Sequence, residues 1–412
     1  MIELNQTKEG LNMSSPADLL DAKAAEAHLL RFLAVDGVTG EEKAIADAVI
    51  DELLKVGVPK SAIRFDDAHT RIPVPTQTGN LIVDLPGTAE GPHLLFSTHL
   101  DTVPLCRGAK PKVEGRRVVS DGTTALGGDN RTGCGVLVSL AETLIKHKLP
   151  HPNITLLFTV REESGLHGAR ELNPKDLGGA VMCINVDSQK PEDVVTGAVG
   201  QENWEVEIKG RASHAGLAPD KGISATLVGA LGLANARRDG WFGKVEKPTG
   251  KGTSNVGIFG GKDGKPAGDA TNVVTDYAWL RGEARSPELT FAGEIAEAFA
   301  KAFEEAKQAV KATDGAVAEV NFTHVRAYPP FHLADDAPVV RRAAKAIEAL
   351  GMKPNLMFSP GGLDANWLDK HGIPTVTIGA GQREVHTVKE YVELDEYVMG
   401  CKIAVLAATQ KG

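Results

Sequence analysis

Short apolar runs that alternate with helical patterns are the feature that most constrains the fold of this chain. Apolar runs at residues 80–85, 93–97, 154–160 and 180–186 are separated by segments with helical spacing such as 133–146. Strands that are apolar throughout are typical of a parallel sheet that helices cover on both faces. The sequence therefore predicts an α/β fold with a mostly parallel sheet flanked by helices.

The N-terminal part of the chain carries two helical patterns before the first of these runs. The first covers residues 17–33, and the second covers residues 44–54. The segment Thr39-Gly40-Glu41-Glu42 precedes the second pattern and predicts a helix start with Thr39 as the N-cap.

The pattern changes near Gly200. From Trp204 to Lys209 apolar and polar residues alternate, as in a strand that is exposed on one face. The elements that follow have the order β-α-β-β-α-β, the split βαβ arrangement of ferredoxin-like domains. We therefore predict a ferredoxin-like domain at residues 200–325, inserted into a catalytic domain of residues 1–199 and 326–412. Because a small open sheet has unpaired edges, we expect an edge-to-edge dimer through this insert.

Composition excludes several classes of partner. The net charge is −9 and no Lys/Arg stripe is present, which argues against a nucleic acid or an anionic membrane as partner. The four cysteines are widely spaced and form no CxxC pair, so we expect reduced thiols in a cytoplasmic protein. Residues 1–15 lack the apolar core of a signal peptide, and no apolar run reaches membrane-spanning length.

Five polar segments, each placed after an apolar run, carry the chemistry. They are Ser97-Thr98-His99-Leu100-Asp101, Leu126-Gly127-Gly128-Asp129, Arg161-Glu162-Glu163-Ser164, Asn185-Val186-Asp187 and Glu384-Val385-His386. In open α/β sheets, ligands bind beyond the carboxyl ends of the strands. Together these segments supply imidazoles and carboxylates of the kind that two neighbouring divalent ions need. The sequence therefore predicts a two-metal hydrolytic site.

Each segment alone also has an ordinary structural interpretation. His99 and Asp101 lie on one face of an extended segment and could form a simple hydrogen-bonded pair. Asp129 could cap a helix, and Asp187 could close a turn. The Glu162–Glu163 pair could be a solvated acidic turn, and His386 could be a surface histidine. Five such segments in one chain would be a large coincidence in a structural protein.

In order and residue type, these segments resemble those of the di-zinc exopeptidase and deacylase family that includes peptidase T, aminoacylase and glutamate carboxypeptidase. The resemblance covers nearly the whole chain, includes the inserted lid domain that commonly makes a dimer contact, and is closest for the peptidase T subgroup. It implies that His99 and Asp187 hold one zinc, that Glu163 and His386 hold the other, and that Asp129 bridges them.

The resemblance also implies roles for residues that do not bind metal. Asp101 would orient and tune the site, and Glu162 would be the general base that later protonates the leaving amine. In the insert, Ala212-Ser213-His214-Ala215-Gly216 matches the histidine motif of the family, so His214 would stabilise the oxyanion; an ordinary turn histidine is the alternative. Asn272 and Arg285 match positions that bind the peptide or its carboxylate.

The chain departs from peptidase T at several positions. Asn130-Arg131 stands where Asp-Lys is common, and we predict a cis peptide bond between Asp129 and Asn130 because the family often has one there. Leu363 replaces a small polar residue in a loop near the site of the family. These changes leave the expected metal ligands intact and bear on the substrate.

The expected function is hydrolysis of amide bonds in small peptides by a zinc-dependent exopeptidase, most closely a tripeptide aminopeptidase. We expect two Zn²⁺ ions, for which Co²⁺ or Mn²⁺ could substitute. An aminoacylase or N-carbamoyl amidohydrolase is the main alternative, because the same metal motifs would serve it. A non-catalytic peptide-binding protein on the same scaffold is a more remote alternative.

Overall fold

The structure, a computed structural model, describes residues 15–411. Its strands, in chain order, are β1 (Ile63–Phe65), β2 (Leu81–Leu85), β3 (Leu94–His99), β4 (Lys112–Glu114), β5 (Arg117–Val119), β6 (Ile154–Thr159), β7 (Met182–Ser188), β8 (Asp193–Ala198), β9 (Gly200–Lys209), β10 (Gly243–Lys247), β11 (Gly250–Gly260), β12 (Tyr277–Ser286), β13 (Glu319–Tyr328), β14 (Phe331–His332), β15 (Asn355–Ser359), β16 (Thr375–Gly379), β17 (Gln382–Arg383) and β18 (Tyr391–Glu393). Its α-helices are α1 (Ala22–Leu33), α2 (Lys43–Lys55), α3 (Gly128–Lys146), α4 (His167–Glu171), α5 (Ala225–Arg238), α6 (Phe291–Ala309), α7 (Pro338–Glu348), α8 (Asp364–Lys370) and α9 (Leu394–Thr409).

The described residues form two compact units. The first comprises residues 15–196, 334–357 and 371–411, and the second comprises residues 197–333 and 358–370. The second unit thus extends beyond the insert that we predicted at 200–325, because α8 and the residues before it belong to it. Within this unit the Asn366 amide donates hydrogen bonds to the carbonyls of Val199 and Pro329, at 3.0 and 2.7 Å.

The first unit is built on a mixed sheet with the strand order β1-β2-β6-β3-β7-β16-β8. Its central neighbours β6-β3, β3-β7 and β7-β16 are parallel, and the outer pairs are antiparallel. Every residue of β3 and β6 is buried, and α3 packs against β3 and β7. The α/β class with helices around the sheet is confirmed, and its parallel part is the centre.

The central strands bring distant segments to one edge of the sheet. His99, the last residue of β3, is paired in register with Thr159, the last residue of β6. Because the two strands are parallel, the segments that follow them leave the sheet at the same edge. Asp101 and the Glu162–Glu163 pair therefore emerge side by side, and Asp187, near the end of β7, lies on the strand next to them.

The second unit contains an antiparallel sheet with the strand order β10-β11-β12-β9-β13. The predicted order of elements is observed with one additional strand, β10, which forms a hairpin with β11. Helices α5 and α6 cover one face of this sheet. In the core on that face, the Trp204 ring stacks on Phe299 and Phe322, with ring centroids 4.8 and 5.4 Å apart.

A small antiparallel sheet of the first unit was not predicted. Its strand order is β17-β18-β5-β4. These strands are two or three residues long, too short to show the alternation that reveals a strand in a sequence.

Cys106, Cys134, Cys183 and Cys401 are buried, free cysteines. Among residues 15–411, no helix has both the length and the apolar character that a bilayer span requires.

Candidate active site

The carboxylate of Asp129 lies between two imidazoles. Its Oδ1 atom is 3.2 Å from Nε2 of His99, and its Oδ2 atom is 3.3 Å from Nε2 of His386. Each oxygen of one carboxylate thus faces a different ring nitrogen, the arrangement that a ligand shared by two metal ions requires. The structure also contains the predicted cis peptide bond between Asp129 and Asn130.

One further carboxylate stands beside each imidazole. Asp187 Oδ1 is 3.6 Å from Nε2 of His99, and Glu163 Oε1 is 3.0 Å from Nε2 of His386. The structure therefore brings together the two pairs that the family resemblance implied, His99 with Asp187 and His386 with Glu163. Ligand atoms of His99, Asp129 and Glu163 all lie within 4.8 Å of one another.

The orientation of His99 is set by its other ring nitrogen. Nδ1 lies 3.0 Å from the carbonyl oxygen of Asp101, and a carbonyl can only accept a hydrogen bond. Nδ1 therefore donates to this carbonyl, and Nε2, which faces the carboxylates of Asp129 and Asp187, is the nitrogen left to bind a metal ion. This is the usual arrangement of a histidine that binds a metal ion.

Asp101 and the glutamate pair that follows β6 are joined through the backbone. The two oxygens of the Asp101 carboxylate accept the N–H groups of Glu162 and Glu163, at 3.0 and 3.2 Å. Asp101 thus orients the turn that presents both glutamates. Glu162 is nearly buried, and its Oε2 atom lies 4.0 Å from Nε2 of His99, so its carboxylate faces the same cluster.

The cluster carries an excess of negative charge. Burial, and then the charge of Asp129, raises the pKa of Asp187 to about 8 and the pKa of Glu163 to about 7. Hydrogen bonds to Asp129 and Glu163 raise the pKa of His386 to about 10. For His99, burial opposes the neighbouring carboxylates, led by Asp187, yet they hold its pKa well above the usual value. Both imidazoles are thus drawn to a positive charge. Divalent ions would relieve the same repulsion, and a set of imidazole nitrogens and carboxylate oxygens suits zinc.

Sequence reasoning missed Glu390. This side chain is buried, and its carboxylate accepts the N–H groups of Leu126, Gly127 and Asp129 at 2.8, 2.8 and 3.0 Å. It therefore binds the backbone of the segment that carries Asp129. No local pattern signals this role, because a glutamate next to a strand is usually solvated.

Glu42 was also missed, because its segment was interpreted as a helix start. Helix α2 begins at Lys43, and no side-chain hydrogen bond caps it, so the prediction of Thr39 as N-cap was wrong. Glu42 Oε1 instead accepts the N–H groups of Gly40 and Arg161, at 2.6 and 3.1 Å. The Thr39 hydroxyl lies 2.8 Å from that of Ser164. The segment thus supports the turn that carries Glu162 and Glu163.

Arg131 is a third buried supporting residue. Its guanidinium hydrogen-bonds the carbonyl of Leu100, which lies between His99 and Asp101, and the carbonyls of Val35 and Gly37, both at 3.3 Å. The sequence showed only that Arg131 departs from the lysine common in peptidase T. Arg131 is buried, and its hydrogen bonds connect the segment after β3 to the loop after α1.

The other predicted site residues lie in the second unit. His214 is exposed, and its Nδ1 accepts the N–H groups of Gly216 and Leu217 at 3.1 and 3.2 Å, so a neutral His214 carries its proton on Nε2. The Asn272 carbonyl accepts the Ala215 N–H at 2.9 Å, which joins these two segments. The guanidinium of Arg285 pairs with both oxygens of Glu283, at 2.9 and 3.0 Å.

The sequence model of Peptidase family M20/M25/M40 matches residues 95–410, well over half of the chain. The chain belongs to this family, and it is a metallopeptidase.

Its relatives indicate where in the family it stands. It is 31% identical to the uncharacterized protein YqjE of Bacillus subtilis, over 94% of this chain and 98% of that protein. Peptidase T of Limosilactobacillus fermentum is 27% identical, over 67% of this chain and 63% of that protein. The crystal structure of aminopeptidase PepT from Bacillus cereus covers 95% of this chain and 99% of its own, with 30% identity and a TM-score of 0.81. A tripeptidase from Staphylococcus aureus covers 95% and 98%, with 27% identity and a TM-score of 0.84. The resemblance to peptidase T is confirmed.

Glu42 makes the free energy of unfolding depend on pH. Burial, and then the charge of Asp101, raises the pKa of Glu42 from 4.5 to about 7. A raised carboxyl pKa stabilises the fold below the unfolded value, and this contribution is lost as the pH rises through the folded value. Gln at position 42 keeps one acceptor oxygen and cannot ionise. The free energy of unfolding of Glu42→Gln, relative to wild type, should therefore rise by about 1–3 kcal/mol from about pH 5 to about pH 8.

Urea unfolding of the metal-free proteins at several pH values measures this difference. The matched control is Glu41→Gln, because Glu41 is exposed and its hydrogen bond with Arg107 lowers its pKa. It should show no pH-dependent difference in this window. A difference for Glu42→Gln that stays constant with pH would show that Glu42 ionises as an ordinary glutamate.

Proposed function

We propose that this chain is a two-metal exopeptidase that removes the N-terminal residue of small peptides, most closely a tripeptide aminopeptidase. The observation that carries the proposal is the Asp129 carboxylate, whose two oxygens face Nε2 of His99 and Nε2 of His386 at 3.2 and 3.3 Å. The choice of peptide substrates is supported by the similarity to the aminopeptidase of Bacillus cereus and the tripeptidase of Staphylococcus aureus.

We assign the metal ligands by their proximity to the two imidazoles. His99 and Asp187 would hold one ion, His386 and Glu163 would hold the other, and Asp129 would be shared. When bound, the two ions would polarise the scissile carbonyl as Lewis acids and acidify a water molecule. Zinc suits these nitrogen and oxygen ligands, and Co²⁺ or Mn²⁺ could occupy the same set.

Glu162 is assigned the proton transfers. Its carboxylate faces His99 but is the more distant one, with Oε2 at 4.0 Å from Nε2 compared with 3.2 Å for Asp129 Oδ1. It is therefore placed to take a proton from the attacking water at a carboxylate oxygen and to return it to the leaving amine nitrogen. Asp101 keeps Glu162 in place through the backbone N–H groups of the turn.

The second unit would bind the substrate. The Nε2–H group of His214 is the donor that we assign to the developing oxyanion. Asn272 and Arg285 would bind the peptide or its carboxylate, and a substrate carboxylate would compete with Glu283 for the guanidinium of Arg285.

Hydrolysis of a substrate panel tests the function. The panel contains free-amine di-, tri- and tetrapeptides, N-acetylated tripeptides, N-acyl amino acids and N-carbamoyl amino acids, each assayed with Zn²⁺ and with a chelator. We expect cleavage of free-amine tripeptides that the chelator abolishes. Glu162→Gln should lower kcat by about 10²–10⁴-fold, as for loss of a general base, while two metal ions per chain remain bound.

The control for this variant is Glu171→Gln, which should leave kcat unchanged because Glu171 ends α4 and pairs with arginines. Cleavage of only the N-acyl or N-carbamoyl substrates would replace the exopeptidase by a deacylase or an amidohydrolase. Metal binding without cleavage of any substrate would favour a peptide-binding protein.

The oxyanion role of His214 has its own test. Because an oxyanion donor acts in the transition state, His214→Gln should lower kcat by about 10²–10³-fold and change KM little. His147→Gln is the control, since His147 is exposed at the C-terminal end of α3. Equal losses in the two variants, or a loss confined to KM, would contradict the assignment.

We also propose a cytoplasmic homodimer with its subunit contact in the second unit. The four free, buried cysteines support a reducing compartment, and β13, an edge strand of ten residues, supports an edge contact. We expect sedimentation equilibrium to give twice the chain mass of 43.5 kDa. A monomer at micromolar concentration would contradict the dimer.

A further inference from the structure

The buried carboxylate of Glu390 binds the backbone of the segment that carries Asp129. Its Oε2 atom accepts the N–H groups of Leu126 and Gly127, and its Oε1 atom accepts the N–H of Asp129. Three donors on one carboxylate are more than a single side-chain cap supplies, and hydrogen bonds to an ionised acceptor are stronger than neutral ones. The contact therefore fixes the backbone of residues 126–129 rather than one atom of it.

The two glycines of this segment allow the Glu390 carboxylate to approach the backbone closely. Gly127 has φ +82°, a left-handed conformation that suits glycine. A Cβ atom at Gly128 would lie 3.1 Å from Glu390 Oε1 and 2.8 Å from a methyl carbon of Val392. Gly127 thus turns its N–H group toward Glu390, and Gly128 lets its backbone approach the carboxylate because it has no Cβ atom. Asp129 and Asn130 have non-helical backbone angles, so residues 126–129 lead into the regular part of α3, whose positive N-terminal end favours an anion.

Glu390 and His386 belong to the same short stretch of chain. The N–H of Glu390 donates to the carbonyl of Thr387 at 3.1 Å, which closes the turn between them. His386 contacts the Asp129 carboxylate through Nε2, and Glu390 contacts the Asp129 backbone. One turn therefore touches Asp129 twice, at its side chain and at its main chain. Strand β18, which starts at the next residue, pairs with β17 and β5 and anchors the turn.

We propose that Glu390 is a positioning residue that couples the His386 turn to the Asp129 segment and thereby sets the distance between the two imidazoles that share Asp129. This inference rests on the proposed two-metal function. Among the predicted metal ligands, the Glu390 carboxylate hydrogen-bonds only Asp129, and it does so through the backbone N–H of that residue. Loss of such a supporting contact lowers metal affinity or activity by about 10–100-fold in metal sites.

Glu390→Gln is the most informative variant, because it keeps the size of the side chain and removes one acceptor. Its remaining oxygen can serve Leu126 and Gly127, which places the new NH₂ group against the N–H of Asp129. Hydrogen exchange of individual amides in the metal-free protein should therefore accelerate at Asp129 by about tenfold or more, and less at Leu126 and Gly127. Glu390→Ala should accelerate all three, and Glu390→Gln remains decisive if the alanine variant does not fold.

The functional readouts are Co²⁺ titration by visible absorption and the kinetic constants for a tripeptide. For Glu390→Gln we expect one of the two Co²⁺ affinities to fall by about 10–100-fold and kcat to fall by a similar factor, with KM nearly unchanged. Glu393→Gln is the matched control, because its carboxylate pairs with Arg117 at 2.6 Å and not with the site. It should behave as wild type in all measurements.

Unchanged exchange at Asp129 in Glu390→Gln would overturn the proposal, and so would faster exchange with Co²⁺ affinities and kcat within twofold of wild type. The exchange measurement needs neither metal nor substrate. A wild-type protein that binds no Co²⁺ and cleaves no peptide would contradict the proposed function instead, so the two failures are distinguishable.

Discussion

Repulsion among buried carboxylates is the constraint on which the rest of the first unit depends. Asp129 faces both imidazoles, Asp187 and Glu162 face His99, and Glu163 faces His386. The charge of Asp129 helps to raise the pKa of both Asp187 and Glu163. Like charges at this spacing in a poorly solvated place would drive the segments apart unless the backbone were held. The strand ends and the hydrogen bonds from buried side chains to the main chain hold these segments in place. The negative charge of the site favours the binding of cations.

The contacts that hold these segments are hydrogen bonds between buried charged side chains and the backbone. Carboxylates bind N–H groups of the segments that present the site, Asp101 and Glu42 for residues 161–163 and Glu390 for residues 126–129. The Arg131 guanidinium binds carbonyls on either side of the same region. Each partner is buried, so these bonds are made in a medium where leaving a group unpaired is costly. The site is therefore as rigid as its supporting backbone, which suits a function that needs two ions at a fixed separation.

Much of this could be predicted from the sequence, for local reasons. The β3 and β6 strands were visible because they are continuous apolar runs, and the residues after them were recognised because acidic and histidine side chains rarely follow such runs together. The pairing of His99 with Asp187 and of His386 with Glu163 came from family resemblance, and the structure places those atoms together. Glu390, Glu42 and Arg131 could not be found in this way. Each lies in a stretch whose local pattern has an ordinary interpretation, and its role depends on partners far along the chain, 261 residues away for Glu390 and Asp129.

The sequence by itself determined the order of most of the longer helices and strands and the chemical types at the strand ends, because hydrophobic periodicity and the polar residues that interrupt it are properties of neighbouring residues. Only the tertiary structure decided which two imidazoles share the oxygens of Asp129, which backbone groups Glu390 accepts, and that α8 belongs with the second unit. Those outcomes depend on parallel strand register and on burial. Both arise when segments separated by tens to hundreds of residues come into contact, and a carboxylate acquires its partners and its pKa only there.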